Sequence, residues 1–178
     1  MSRVAAAILA AVTLAAVPGC GAGLPDEVAS CDYVSREHRF ALDVPAGWQV
    51  RESRGPTCLF LAPPGASPPG ASVTVTVGRP DSPVQTLNER VQVDLLRVQA
   101  LPGYTHLDEG ERTLTDGHTA AVLTFEHSVA DRRVRQRQLT VLAGGQVYTV
   151  TATAAPPETF AERADAFEIV FHSFRSAW

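Results

Sequence analysis

Three arginines at alternate positions, Arg133, Arg135 and Arg137, are the strongest candidate binding feature of the sequence. In a β-strand, side chains two residues apart lie on the same face, about 6.6 Å from each other. Because guanidinium groups bind carboxylates and phosphates through paired hydrogen bonds, such a row can hold an anionic lipid head group or an acidic partner. The alternative interpretations are a solvated hairpin tip and cross-strand pairing of the row with acidic residues. Those acidic residues are Asp108, Glu109 and Glu111.

The five histidines contribute one further candidate, His127. It follows Ala121, Leu123 and Phe125, which alternate as the inward side of a predicted strand. A histidine at the end of an apolar face either packs there through a hydrogen bond or takes part in binding. No two histidines have the spacing of a helical metal site, and His-Glu-x-x-His is absent. We therefore expect no metal site and keep His127 as a tentative binding residue.

Motifs for catalysis are missing from the sequence. The nucleophile motif Gly-x-Ser-x-Gly does not occur, and Ser67 lies in a proline-rich loop that offers no following helix for an oxyanion. A glycine-rich loop that could hold a phosphate is also absent. We therefore expect no catalytic residue, no cofactor and no enzymatic activity.

The N-terminal segment predicts export and lipidation. Arg3 precedes an apolar run from Val4 to Val17, which is shorter than a helix needs to cross a hydrocarbon core of about 30 Å. The run ends in Val-Pro-Gly-Cys at 17–20, which resembles the lipobox of bacterial lipoproteins. By this resemblance, residues 1–19 are a signal peptide and Cys20 receives the lipid. An uncleaved signal anchor and a freely secreted protein are the alternatives.

A lipid on Cys20 would fasten the protein to the extracytoplasmic face of the cell membrane, with residues 20–30 as a flexible tether. Each buried methylene contributes about 0.8 kcal/mol, so two or three acyl chains hold a soluble domain on the bilayer. The membrane is therefore the first expected partner.

The two remaining cysteines, Cys31 and Cys58, are an even pair in an oxidising compartment. We predict a disulfide between them, and two buried free thiols are the alternative. A zinc site is not expected, because lone cysteines far apart in sequence lack the paired spacing of zinc ligands.

Composition limits the remaining possibilities. The chain has 178 residues, of which 45% are hydrophobic and 19% charged, with a net charge of −4. The apolar fraction excludes a disordered chain, and the length allows one domain, expected at 31–178. The mildly acidic balance excludes nucleic acid as the main partner.

Periodicity along the chain predicts an α+β fold. Strands are expected at Phe40–Val44, Trp48–Val50 and Cys58–Leu61, and valine alternates with threonine from Val73 to Val77. A capping box at Thr86-Leu87-Asn88-Glu89 begins a helix that ends at Pro102-Gly103. Four strands follow, with hairpin turns at Asp116-Gly117 and Gly144-Gly145, and a phenylalanine stripe from 160 to 174 predicts a C-terminal helix. The expectation is an antiparallel sheet of about seven to eight strands covered by two main helices.

Three segments resemble a known family. Phe-Ala-Leu-Asp-Val-Pro-Ala-Gly-Trp at 40–48 resembles the opening of PsbP-like domains, which include the DcrB and actinobacterial LpqN lipoproteins. The strand pair 137–141 and 147–152 resembles their penultimate hairpin, and 167–175 their closing helix. The resemblance spans about 36–175 and implies an α/β/α sandwich in a cell-envelope lipoprotein, without an established common chemistry.

The sequence therefore favours a membrane-anchored, non-catalytic module that binds an envelope protein. A carrier of a small hydrophobic or lipidic ligand is the alternative. It would need an apolar pocket between sheet and helix, lined from Trp48, Tyr104 and Phe125. An enzyme is the least favoured alternative, because it would need convergent polar groups in a cleft.

Overall fold

An antiparallel sheet of seven strands forms the centre of the computed structural model, which describes residues 30–53, 55–65, 70–80 and 86–176. Its strand order is β3-β4-β5-β9-β8-β7-β6, and a second sheet has the order β1-β2-β10. The elements are β1 (Ser30–Ser35), β2 (Phe40–Pro45), β3 (Gln49–Glu52), β4 (Thr57–Ala62), β5 (Ala71–Gly78), α1 (Leu87–Gln99), β6 (Thr105–Thr113), β7 (Thr119–Val129), β8 (Arg132–Ala143), β9 (Gln146–Ala154), α2 (Thr159–Glu162), α3 (Ala164–Ser173) and β10 (Arg175–Ser176).

The main core lies between one face of the large sheet and a layer made of the small sheet and α3. Strand β5 shows why the chain folds this way, because Val73 and Val75 are fully buried while Thr74 and Thr76, which alternate with them, are half-buried on the opposite face. The covering layer contributes fully buried aromatic side chains, among which Phe40 and Phe174 stack with ring centroids 5.8 Å apart. Burying such a side chain stabilises the fold by about 1.5–3 kcal/mol.

Helix α1 covers the opposite face of the large sheet. The predicted capping box is present: Glu89 N donates to Thr86 Oγ1, and Thr86 N donates to Glu89 Oε2. Val98 is the one buried residue of the helix, and it packs with Leu123 and Phe125 of β7 in a small second cluster. The other side chains of α1 are therefore only partly buried against the sheet or exposed.

The hairpin loops fix the register of β6 to β9. Gly144 and Gly145 have φ of 57° and 73° and join Ala143 to Gln146 as a two-residue loop, as predicted. Asp116-Gly117 instead lies in a wider loop, closed by a hydrogen bond from Leu114 N to His118 O. The loop between β7 and β8 is formed by Ala130 and Asp131, which both have positive φ, at 46° and 64°.

The predicted α+β class is confirmed, and the structure differs from the prediction in two details. Strands β1, β2 and β10 form a sheet of their own, and β1 was not expected, because Ser30–Ser35 lacks a clear alternation of apolar and polar residues. The expected C-terminal helix is divided into α2 and α3 at Arg163, whose φ of −111° and ψ of 10° leave the helical region. In the described ranges, every helix is too short or too polar to cross a membrane.

Candidate functional site

Strand β8 places Arg133, Arg135 and Arg137 on one face of the large sheet, together with Arg112 of β6 and two glutamates. We call this group the arginine ladder; its members are Arg112, Arg133, Arg135, Arg137, Glu126 and Glu168. Glu126 stands directly opposite Arg135 in the β7–β8 register. Its Oε1 accepts from Arg135 Nη2 at 2.7 Å and Nε at 3.0 Å, and its Oε2 accepts from Arg133 Nη2 at 2.8 Å.

The second carboxylate of the ladder, Glu168, comes from α3. Its Oε1 accepts from Arg137 Nη1 at 2.6 Å, and its Oε2 accepts from both terminal nitrogens of Arg112 at 3.2 Å. The guanidinium of Arg137 also lies 5.7 Å from the centroid of the Phe160 ring. The ladder therefore joins the sheet to α3, and each of its arginines donates to a carboxylate of the same molecule.

The three arginines of β8 do pair with acidic residues, as one of the alternative interpretations expected, but their partners are Glu126 and Glu168 and not the expected acids of β6. Glu109 and Glu111 of β6 stand opposite Leu123 and Ala121, so strand alternation turns them to the other face of the sheet. The hydrogen bonds from the two arginines lower the pKa of Glu126 below its ordinary value, those from Arg135 most.

Arg133 also anchors the link between α1 and β6. Its Nη1 donates to Gly103 O at 2.6 Å, and its Nη2 donates to Thr105 Oγ1 at 3.3 Å. Gly103 has a φ of 64°, and a Cβ there would lie 2.8 Å from Ser128 Oγ. Arg133 thus holds the link between α1 and β6 against the β7–β8 hairpin.

His127 is a packing residue in this structure. Its side chain is 6% exposed, and its ring lies 5.7 Å from that of Phe125. Within the described ranges, neither ring nitrogen has a hydrogen-bond partner, and the same holds for the hydroxyl of Tyr104, whose ring centroid also lies 5.7 Å from that of Phe125. Loss of solvent around Tyr104 raises the pKa of its hydroxyl.

A cleft opens between the N-terminal half of α1 and strands β6 to β8. We call it the α1 cleft; its volume is about 200 Å³. Its apolar walls are Val91 and Leu95 of the helix and Leu123 of β7. Its remaining lining residues are Asn88, Gln92, Asp94, Glu109, Gly110, Glu111, Ala121, Val122, Gln138 and Thr140.

The charged residues that line the α1 cleft are all acidic. Asp94 is already neutralised, because Arg90 Nη2 lies 2.7 Å from its Oδ1 and Arg97 Nη1 lies 3.6 Å from it. Glu109 and Glu111 are exposed at the rim, two residues apart on β6. The rim therefore presents two carboxylates beside the apolar side chains of Val91, Leu95 and Leu123, which is an arrangement suited to a cationic group with an aliphatic stem.

The sequence did not point to this cleft. Leu87, Val91, Leu95 and Val98 have helical spacing, which predicts a face packed on the sheet. The available signal was the composition of β6, whose nine residues are all exposed apart from half-buried Arg112 and include three acids.

The three aromatic residues from which the carrier alternative would line its apolar pocket do not meet in the structure. Trp48 packs edge-on against Phe167 in the main core, with centroids 6.0 Å apart. Tyr104 and Phe125 belong to the second cluster, on the opposite face of the large sheet. Successive residues of β7 point alternately to these two cores, which keeps them separate.

Cys58 is a free, buried thiol whose Sγ donates to Val75 O at 3.3 Å. Burial raises its pKa to about 11. The side chain of Cys31 and the whole of Cys20 lie outside what the structure describes. No disulfide is seen in the described part, so the Cys31–Cys58 bridge and the lipidation of Cys20 stay predictions. Across the same residues, no three His, Cys, Asp or Glu side chains are grouped to hold a metal ion.

A comparison with protein families identifies the domain. The family model described as the serine/threonine kinase C-terminal domain matches residues 33–176. The chain belongs to this family. Comparison with curated proteins gives no match.

Solved structures show the same fold at low sequence identity. The PsbP protein of Synechocystis sp. PCC 6803 is 15% identical with a TM-score of 0.62, and 88% of this chain covers 97% of that one. LpqN of Mycobacterium tuberculosis, described as involved in cell envelope biogenesis, is 21% identical with a TM-score of 0.58, over 76% and 81% of the two chains. The Ran-binding protein Mog1p of Saccharomyces cerevisiae is 10% identical with a TM-score of 0.57, over 84% and 96%. The resemblance to PsbP-like and LpqN-type domains is confirmed.

Proposed function

We propose that this protein is a non-catalytic, membrane-anchored binding module of the cell envelope, and that a partner protein docks at the α1 cleft. The observation that supports the site is the contrast between the two candidate surfaces. The arginines of the ladder pair with Glu126 and Glu168, whereas the α1 cleft is open and bordered by two exposed carboxylates that no arginine contacts among the described residues. Of these two surfaces, we therefore favour the cleft.

The family and the fold support a binding role. The family is described as a serine/threonine kinase C-terminal domain, a description that names a part of a kinase chain other than its catalytic activity. Mog1p, which shares the fold, is described as a Ran-binding protein. Fold alone does not determine function, so the proposal depends on the cleft.

The cleft fits a protein segment better than a lipid. Pockets for small organic ligands typically measure about 300–1,000 Å³ and are mostly apolar. The α1 cleft is smaller, at about 200 Å³, and Asn88, Gln92 and Gln138 give it polar walls. We therefore favour a protein partner over the hydrophobic-ligand alternative.

The anchor is tested at Cys20. The variant Cys20→Ala should be released into the medium or accumulate as an unprocessed precursor, because no thioether to the lipid can form. Cys58→Ala is the matched control and should stay in the membrane fraction. Normal processing and membrane retention of Cys20→Ala would refute the anchor.

The docking site is tested in intact cells by a photo-crosslinking amino acid. At Gln92, which lines the cleft and is exposed, we expect a defined protein adduct. At Glu162 of α2, which is exposed and remote from the cleft, we expect none. The Gln92 adduct should disappear when Ala121→Leu fills the floor of the cleft. Equal adducts at both positions, or an adduct insensitive to Ala121→Leu, would reject the site.

A further inference from the structure

We infer that the partner segment is an extended, basic strand that pairs with the outer edge of β6 and directs lysine or arginine side chains into the α1 cleft. This inference rests on the proposed function and specifies the chemistry of its partner. The steps that support it are the position of β6, the charges of the cleft and the shape of its walls.

Strand β6 is an edge of the large sheet. It pairs with β7 on one side, and in the described part of the chain no strand follows it on the other. An edge strand presents backbone N–H and C=O groups that a further strand can use. At nine residues, Thr105–Thr113 is long enough to receive such a strand, although an irregularity between His106 and Asp108 interrupts its first part. The usable edge is therefore centred on 108–113.

Glu109 and Glu111 determine the charge of the segment that fits this edge. They are two residues apart and lie on the face covered by α1. Residues of a neighbouring strand on the same face would have their Cβ atoms about 4.5–5.5 Å away, a distance at which opposite charges attract and like charges repel. The segment should therefore have basic residues at alternate positions.

The apolar walls of the cleft favour basic side chains with a long aliphatic stem. Between the rim carboxylates and α1, the cleft offers Val91, Leu95 and Leu123. A lysine or arginine places its aliphatic stem along apolar surface and its charge at the polar end. Asp94 adds little to the attraction, because Arg90 and Arg97 already pair with it. Glu109 contacts His106 Nε2 at 3.5 Å, a pair that is ionic only when the histidine is protonated.

The test uses fluorescence anisotropy with two labelled nine-residue peptides. One alternates threonine and lysine, and the other has glutamate in place of each lysine. The chain tested is the whole domain following the predicted tether, at low ionic strength. The lysine peptide should bind and the glutamate peptide should not. NMR shift changes should be confined to β6, α1 and the β7 residues of the floor.

Two double variants of equal charge change provide the control. E109Q/E111Q should weaken binding of the lysine peptide about fivefold or more, because each cross-strand charge pair contributes up to about 1 kcal/mol. E158Q/E162Q changes two exposed glutamates at α2 and should change the affinity less than twofold. Both should retain the thermal unfolding of the parent, since all four residues are exposed.

The outcomes separate this inference from the proposed function. Failure of the lysine peptide to bind, equal weakening in the two double variants, or tighter binding of the glutamate peptide would overturn the basic-strand inference. A crosslink at Gln92 that Ala121→Leu abolishes would then still support docking at the cleft. Binding of the lysine peptide with shift changes outside β6, α1 and the β7 residues of the floor would also count against the inference.

Discussion

Glu126 and Arg135 face each other directly across strands β7 and β8, and Arg133 shares the same carboxylate. One glutamate thereby pairs with two arginines at the end of a long hairpin. The Glu126 side chain is largely buried, whereas both arginines are partly exposed. The pair therefore holds the hairpin together and leaves part of the positive charge at the surface.

Replacing this carboxylate should reduce stability in a pH-dependent way. Glu126→Gln should cost about 1 kcal/mol at pH 7, since partly exposed ion pairs contribute modestly. The pKa of Glu126 is lowered in the folded protein, so its stabilisation is present above the unfolded pKa of about 4.3 and is lost as the pH falls through the folded pKa. Urea unfolding at pH 7 and pH 3 measures the difference, which should shrink at pH 3. A difference of equal size at both pH values would contradict the prediction, and Glu162→Gln is the control.

Replacing the buried imidazole should stabilise the protein. His127 and the hydroxyl of Tyr104 have no hydrogen-bond partner among the described residues, and a buried polar group without a partner is costly. His127→Phe should raise the free energy of unfolding by about 1 kcal/mol. His172→Phe, at an exposed position of α3, should change it by less than about 0.5 kcal/mol. A loss of stability in His127→Phe would show that the ring nitrogens have a partner in solution.

A glycine in the β7–β8 loop should stabilise the protein. Ala130 has a φ of 46°, which costs an L-residue about 1–2 kcal/mol. Glycine removes this strain but increases the entropy of the unfolded chain, so Ala130→Gly should stabilise the protein by about 0.5 kcal/mol. The same exchange within α3, Ala166→Gly, should destabilise it by about 1 kcal/mol. Thermal unfolding distinguishes the two signs.

Helix α1 should open independently of the main core. Thr86→Ala removes the N-cap and should cost α1 about 1 kcal/mol. Because α1 packs on the face of the large sheet opposite the main core, amide hydrogen exchange should become about fivefold faster in α1 and stay unchanged in β5 and β9. A uniform increase across the domain would mean that α1 and the main core unfold together.

Local patterns predicted the elements, because their causes lie within a few residues. Alternation of valine and threonine gave β5, and the Thr86–Glu89 capping box gave the start of α1. Both signals depend on side chains three residues apart or less. The class of the fold and the positions of β2 to β9 followed from such signals.

The partners of the arginines could not be predicted, because they depend on register. Ala130 and Asp131 form the two-residue loop without the glycine or asparagine that usually marks one. Because the loop could not be located from the sequence, the register that places Glu126 opposite Arg135 could not be predicted either. Glu168 reaches Arg137 from a helix 31 residues away, which no local pattern reveals.

The small sheet also determines which side of the domain the predicted tether would join. The first and last described strands, β1 and β10, both pair with β2, on the side of the large sheet opposite α1. A tether that enters through β1 would thus join the domain on the side opposite α1. Glu109 and Glu111, on the face covered by α1, would then lie on the side of the domain that faces away from the membrane.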